Sequence, residues 1–481
     1  MHTLLLLPFL VSRLNSPAKQ PLSEYVRSFV KVDAPMFALT HTRVIDGTGA
    51  PAREGQTLLV KDGKIAAVGD EKSISVPPNA TTLDLHGKTV IPGLVGMHEH
   101  MFYSNGWGIF TEMPISFPRL YLAGGVTTVR TAGTFEPDTD LGIKRRIENG
   151  EMPGPKMRLT GPYLEGKGSW SMQMHTLNGP EDAARTVNYW LDEGIEGFKA
   201  YMYISPAELA AAIKAAHLRG AKVTGHLASI GFREAAALGI DNIEHGLITD
   251  TEFFPEKKPG EVPNGPHHLD ILAKLDVRTG PVYDMIVDLV NRHVAITSTL
   301  AVFEMSLPGR PSIQSRVLDA MTVEARADLL GAKVGIADIA AHRRDYGDDP
   351  PVYPEVFRKE MEFEYAFVQA GGHLMAGVDP TGIGGVLPGY GDQREVELLV
   401  EAGFSPVKAI QIATLNGAQF LGLSDRIGSI RTGRDADFIV VDGDPSRKIE
   451  DIEKVETVFK DGVGYDPDKL AGSVRGMVGI R

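Results

Sequence analysis

Apolar and polar positions alternate with the short period of strands near both ends of the chain, and change to a strand-then-helix rhythm between them. Residues 38–88 contain the runs ALTHTRVID, QTLLVKDGKIAAVG and TTLDLHGK, broken by Gly, Asp and Asn. Asp62-Gly63 between two such runs is a two-residue hairpin signal. Similar runs return at 436–444 (ADFIVVDGD) and 455–463 (VETVFKDGV). Neither stretch alone can close a core, so residues 36–90 and 425–470 are expected to meet in one small β-sandwich.

Residues 91–424 read differently. Apolar, β-branched runs recur as VIPGLVGMH, VTTVRTAG, KMRLTG, IEGFKAY, KVTGH, IDNIEHG, VAITSTL and HLMAGVD. Helical segments such as PAELAAAIKAAHLRG and FREAAALG fall between most of them, with Pro206 at a start and Gly194, Gly220 and Gly239 at ends. Eight strands alternating with helices predict an α/β fold, a (β/α)8 TIM-like barrel, with chemistry where strands end and loops begin. Residues 249–276 and 301–354 interrupt the alternation. They are rich in Pro, Gly and charge, and are expected to be long loops covering the barrel mouth.

Residues 3–11 (TLLLLPFLV) are an apolar run too short to cross a bilayer. Residues 1–20 are read as a leader of the signal type, although a positive n-region and an A-x-A site are missing. A signal peptide places the protein in the periplasm or outside the cell; without one the expected compartment is the cytoplasm. The length of 481 residues suits one large barrel plus an appended module. A net charge of −13 and the lack of a Lys/Arg-rich run argue against nucleic acid or anionic membrane as partner. No integral membrane span is expected, and a homo-oligomer is left open. The absence of cysteine removes thiolate catalysis and Cys-ligated zinc.

Six residues carry the candidate chemistry: His98, His100, Lys199, His226, His245 and Asp379. Each sits at the carboxyl end of an expected strand. His98 and His100 are two apart on one strand and so share a face, with Glu99 expected to face outward. The pair alone is a weak signal, better explained by chance or by hydrogen-bonded core histidines. Lys199 lies in GFKAYM, where an interior amine is costly unless paired or chemically changed. His226 and His245 end two successive strands, and Asp379 ends the last. An Asp in VDP also suits an Asx turn. Together they offer nitrogen and oxygen ligands without sulfur, a set that suits Zn²⁺ first, with Mn²⁺, Co²⁺ or Fe²⁺ as alternatives.

This constellation resembles the amidohydrolase superfamily, specifically its dinuclear members with a carbamylated lysine. GFKAYM is similar to the lysine segment of dihydroorotases and hydantoinases. VTGHLAS followed by ALGIDNIEHG resembles the prolidase, imidazolonepropionase and aminoacylase-like group. The flanks VIDGTGAP, VKDGKIAAVG and LDLHGKTVIPGLVGMHEH, and the late segment ATLNGAQFLGLSDRIGSIRTGRDADFIVVDGDP, match too. The resemblance implies two divalent metal ions: His98, His100, Asp379 and a carbamate on Lys199 at one, Lys199, His226 and His245 at the other. It further implies hydrolysis of a C–N bond in a small-molecule amide, such as an N-acyl amino acid or an Xaa-Pro-like dipeptide. A metal-bridging hydroxide would attack, with Asp379 as general base and then acid. A lactone or phosphotriester hydrolase is the alternative on the same ligands. A deaminase is disfavoured by the bridging lysine, and a non-catalytic interaction protein by the complete ligand set.

Substrate contacts are sought just past other strand ends. Arg130 suits a substrate carboxylate, Tyr163 and Tyr201 an oxyanion, and His175 and Thr299 a polar contact. Trp107, Phe110 and Trp170 are candidates for an apolar wall.

Overall fold

Strands from the two ends of the chain lie in one sheet. The computed structural model describes residues 20–106, 108–255, 257–263, 268–342 and 353–479, so the expected leader falls outside them apart from Gln20. The first strands are β1 (Val30–Val32), β2 (Met36–Val44), β3 (Arg53–Lys61), β4 (Lys64–Asp70), β5 (Thr81–Asp84) and β6 (Lys88–Pro92). Asp62 and Gly63 turn β3 into β4 with φ of 51° and 77°, the double positive φ of a tight hairpin.

The chain then enters a parallel region through β7 (Leu94–Glu99). A hairpin of β8 (Phe102–Ser104) and β9 (Phe110–Glu112) follows. Next come β10 (Val126–Thr131), β11 (Lys156–Arg158), β12 (Gly197–Ala200) and β13 (Lys222–Gly225). β14 (Asn242–Glu244), β15 (Ala295–Ser298) and β16 (Leu374–Ala376) complete the parallel set. The last strands, β17 (Phe438–Asp442), β18 (Val455–Lys460) and β19 (Val463–Tyr465), return to the first sheet.

That first sheet runs β1-β19-β18-β17-β6-β2-β3-β4, with β5 also paired to β2. β17 lies antiparallel on β6, so Val440 opposes Val90 across nearly the whole sequence. Phe37, Leu58, Val90, Phe438 and Phe459 fill its core, and the Phe37 and Phe459 rings stack at 5.0 Å.

The eight parallel strands form two sheets, β11-β10-β7 and β12-β13-β14-β15-β16. Backbone hydrogen bonds cross both gaps between them. Gly161 N–H donates to the Gly197 carbonyl and Leu164 N–H to that of Lys199, each at 2.9 Å. On the other side Asp379 N–H donates to the His98 carbonyl at 2.9 Å. Gly377 permits that second approach, because a Cβ there would lie 2.3 Å from His98 N. Every strand of β7, β10, β12, β14, β15 and β16 is buried along its length, as expected for parallel strands covered on their outer face.

Helices Pro180–Asp192, Pro206–His217, Phe232–Leu238, Gly280–Asn291 and Tyr353–Gln369 supply the cover. Pro206–His217 starts with a capping box, in which Ser205 accepts from Glu208 N and the Glu208 carboxylate accepts from Ser205 N. Phe232–Leu238 ends at Gly239 with φ 95°.

The excursions expected as loops contain helices instead. His268–Lys274 lies in the first, and Leu300–Glu304, Ser315–Ala320 and Val323–His342 in the second. Pro, Gly and charge concentrate at the edges of these segments and hide the Ala/Leu-rich stretch within. Among the described residues no helix is long and apolar enough to cross a membrane.

Candidate metal centre

The strand ends bring five of the six candidate residues into direct contact, and the sixth beside them. His98 Nε2 lies 2.8 Å from Lys199 Nζ and 3.7 Å from Asp379 Oδ1. His100 Nε2 is 3.1 Å from the same Asp379 oxygen, and His245 Nε2 is 3.9 Å from Asp379 Oδ2. One donor atom from each of His98, His245 and Asp379 fits within a span of 4.8 Å. The half-buried His226 packs its ring edge-on to His245 at 4.5 Å and to Tyr201 at 5.1 Å.

Local backbone geometry explains part of this convergence. On β14 the alternation that turns Asn242 and Glu244 inward would turn His245 away. His245 adopts φ 77° at the strand end, and the swing brings its ring back over the same cavity. Asp379 likewise has φ 48°. Left-handed conformations of this kind are unfavourable for residues with a Cβ, and gather where a site demands them.

Partners behind the cluster fix ring orientation. His98 Nδ1 is 2.9 Å from Glu244 Oε2, His100 Nδ1 is 3.1 Å from the Gly133 carbonyl, and His245 Nδ1 is 2.7 Å from Thr299 Oγ1. The carbonyl requires a proton on His100 Nδ1, and the buried carboxylate favours one on His98 Nδ1. Each ring therefore presents its Nε2 lone pair to the centre. His245 Nε2 is buried and has no hydrogen-bond partner among the described residues. An orphaned imidazole nitrogen facing a carboxylate, beside two similarly oriented rings, fits a metal cation.

Charge states follow from burial. Desolvation lowers His100 to about 4 and His226 to about 3, and carries His98 and His245 below the ordinary histidine value. Burial thus favours the neutral, ligating form of all four rings. Burial also lowers Lys199 to about 8, against the pull of Asp379 and Glu244. Burial alone would raise Asp379, but His98 and the His100 hydrogen bond hold it well below the usual carboxylate range. Glu244 is held down in the same way, chiefly by Arg130 and then His98.

Other expected residues fall elsewhere. Arg130, read as a clamp for substrate, spends its guanidinium beneath the cluster: Nη1 donates to Asn242 Oδ1 at 2.8 Å and Nη2 to Glu244 Oε1 at 2.5 Å. Its position one residue before the strand end points it into the sheet interior, not above it. His175 pairs with Asp182 at 3.2 Å and is more than half exposed. It lines a cavity of about 410 Å³ with Trp190 and with Phe135 and Tyr163, which also border the centre. Thr299 orients His245. Tyr163 and Tyr201 do border the centre, each ring 5.7 Å from Lys199 Nζ, and burial keeps both phenols protonated. Phe110 joins Phe102, Phe135 and Trp170 in an aromatic wall beside His100. Trp107 lies outside the described residues.

Glu99 corrects an expectation. It faces away from the cluster, yet meets no solvent and is fully buried. Helix Ser116–Ala123, which carries Tyr121, and helix Tyr390–Glu401, which carries Asp392, cover that face. Burial and the Asp392 charge push its pKa well up, which favours the protonated acid. Glu244 was missed altogether. Its signal was present in NIEH: an acidic residue on the same inward face of the strand as Asn242, one position before His245.

Residues 365–464 match the Amidohydrolase family model. Over 180 residues the chain is 30% identical to the enamidase of Eubacterium barkeri, a match covering 32% of this chain and 45% of that protein. The matched stretch therefore spans less than half of this relative. Among solved structures, a Xaa-Pro dipeptidase with bound methionine in the active site superposes with a TM-score of 0.65 at 20% identity, covering 90% of this chain and 100% of the other. Molinate hydrolase gives 0.62 at 18% identity, covering 91% and 96%. At such identities these structures speak for a shared fold. The family-model match over residues 365–464, the partial match to the enamidase and the shared fold all liken the chain to the amidohydrolases.

Proposed function

We propose that this protein is a metal-dependent hydrolase that cleaves the C–N bond of a small amide. The observation that carries the reading is the convergence of four imidazoles, one buried amine and one carboxylate at the carboxyl ends of parallel strands, with His245 Nε2 lacking a hydrogen-bond partner among the described residues. The supporting architecture is read as a closed (β/α)8 barrel over residues 91–424, formed by joining the two parallel sheets, with a β-sandwich built from 36–90 and 425–470.

In this reading His98, His100 and Asp379 would hold one divalent cation and His226 and His245 a second, and Lys199, as its carbamate, would supply oxygen ligands to them. The ligand set suits Zn²⁺ first, then Mn²⁺, Co²⁺ or Fe²⁺. When bound, such a pair supplies Lewis acidity and a water of lowered pKa. The chain's own groups do the rest. Lys199 is partly neutral near pH 7–8, the state from which an amine adds to carbon dioxide. Asp379 is anionic at rest and faces the cavity, so it can accept the proton released as water attacks and return it to the leaving nitrogen. Tyr163 and Tyr201 remain protonated and can donate to the oxygen that gains charge. The Phe102, Phe110 and Phe135 wall excludes water from the His100 side and favours an apolar acyl or side-chain group.

The test is a screen of zinc- or manganese-loaded protein against N-acyl amino acids, Xaa-Pro dipeptides, lactones and phosphotriesters, with metal content measured in parallel. Two equivalents per chain and turnover of an amide are expected. Fully loaded protein that cleaves only lactones or phosphotriesters would overturn the amide assignment.

A further inference from the structure

A second cavity, of about 130 Å³, opens at the amino-terminal ends of β12 and β13, the end of the parallel strands remote from the metal centre. Arg130, Arg158, Lys222, Thr224, Glu196 and Phe420 line it. Its charges do not balance. Arg158 and Lys144 share the single carboxylate of Glu196. Lys222 Nζ donates to the Phe420 carbonyl at 2.6 Å and sits 3.9 Å over the Phe420 ring; both are neutral partners. Asp241 acts on Lys222 only at longer range and is itself engaged by His217 at 2.9 Å. Arg130 has its Nη atoms committed to Asn242 and Glu244. Its Nε is buried and unpartnered among the described residues, on a side chain only 7% exposed. Three cations, Arg130, Arg158 and Lys222, thus line the cavity against one lining carboxylate, Glu196, which Lys144 also engages, while Glu244 and Asp241 stand further off.

We propose that this cavity binds a small oxyanion of the phosphate type. A compact pocket with surplus positive charge, an unused buried N–H and an arginine fork suits an anion with several acceptor oxygens. The site is also wired to the centre. Arg130 is bonded to Glu244, and Glu244 to His98 Nδ1, so an anion that draws on Arg130 changes the hold on His98 from below. This second step rests on His98 being a metal ligand; the anion site itself does not.

Inorganic phosphate is the probe, titrated calorimetrically into the full-length, zinc-loaded chain at constant ionic strength with chloride as control. The comparison is the Arg158→Ala/Lys222→Ala double variant, which spares Arg130 and every residue of the centre. The wild type is expected to bind one phosphate at least tenfold more tightly than the double variant. In the wild type, phosphate is also expected to change the rate of zinc release to a chelator at least threefold, an effect absent from the variant. Equal phosphate binding by the two proteins, as anion held at the metals alone would give, overturns the site. Phosphate binding lost in the variant, but with zinc release in the wild type indifferent to phosphate, overturns the link to His98. Neither readout needs a substrate, so a failed amide screen leaves this test intact.

Discussion

His98 Nδ1 and Glu244 Oε2 lie 2.9 Å apart in a site with no access to solvent. The contact sets the tautomer of His98 and, through Arg130 and Thr224, ties it to residues on two other strands. Glu244→Gln keeps the shape but can present an N–H where an acceptor is needed. Zinc affinity, measured by chelator competition, is expected to fall by roughly 10–100-fold, with the fold intact by circular dichroism. Unchanged affinity would remove Glu244 from the orienting role.

Lys199 Nζ lies 2.8 Å from His98 Nε2, a cation in contact with the histidine cluster. Lys199→Ala is expected to cut amide turnover by roughly 10²-fold or more, the scale of losing a placed reacting group. Short carboxylates such as acetate or propionate should restore part of it by entering the space of the lost side chain. Rescue by chloride as effective as that by acetate would show that a bridging carboxylate is not what the lysine supplies.

Gly377 lets two strands meet. A methyl group there would lie 2.3 Å from His98 N and 2.7 Å from its Cα, both parts of a backbone that cannot move aside. Gly377→Ala is expected to cost about 1–3 kcal/mol in urea unfolding and to weaken metal binding, since the same shift displaces His98 from Asp379. A variant with wild-type stability and metal content would show that the seam between β16 and β7 is looser than described.

Asp250 makes stability depend on pH. It is buried, Oδ1 accepts from Glu252 N at 3.0 Å, and Oδ2 has no partner among the described residues. Burial raises its pKa to about 7. Between roughly pH 4 and 7 the folded chain therefore holds a proton that the unfolded chain has lost. This contribution is complete below the unfolded pKa and disappears as pH rises through about 7. Asp250→Asn removes it, so the variant's stability relative to wild type should climb by up to about 1.4 kcal/mol per pH unit across that window. Urea unfolding of both proteins at pH 5, 6, 7 and 8 checks it; a difference that does not change with pH rejects the assignment.

The sequence makes the ligands legible because they stand at the ends of apolar runs, where strand periodicity stops and chemistry starts. The same periodicity misleads one step further out. Counting alternate residues sends Glu99 toward water, but helices around a parallel sheet leave no water there. It also turns His245 away from the centre, and only the positive φ at that residue returns it. Arg130 looks like a rim residue by position, yet its long side chain turns down into the sheet, where Glu244 and Asn242 hold it. Side-chain direction on long residues, and turns at strand ends, depend on neighbours from distant segments, so no local pattern announces them.

The pairing of Lys88–Pro92 with Phe438–Asp442 sets a timetable for biosynthesis. The early strands emerge from the ribosome some 350 residues before their hydrogen-bonding partner exists. Until then they carry an unsatisfied apolar edge, while the central helices and strands already have their neighbours. Assembly of this sheet is therefore the closing act of maturation, and nascent chains stalled anywhere short of β17 should be the species that chaperones and proteases meet.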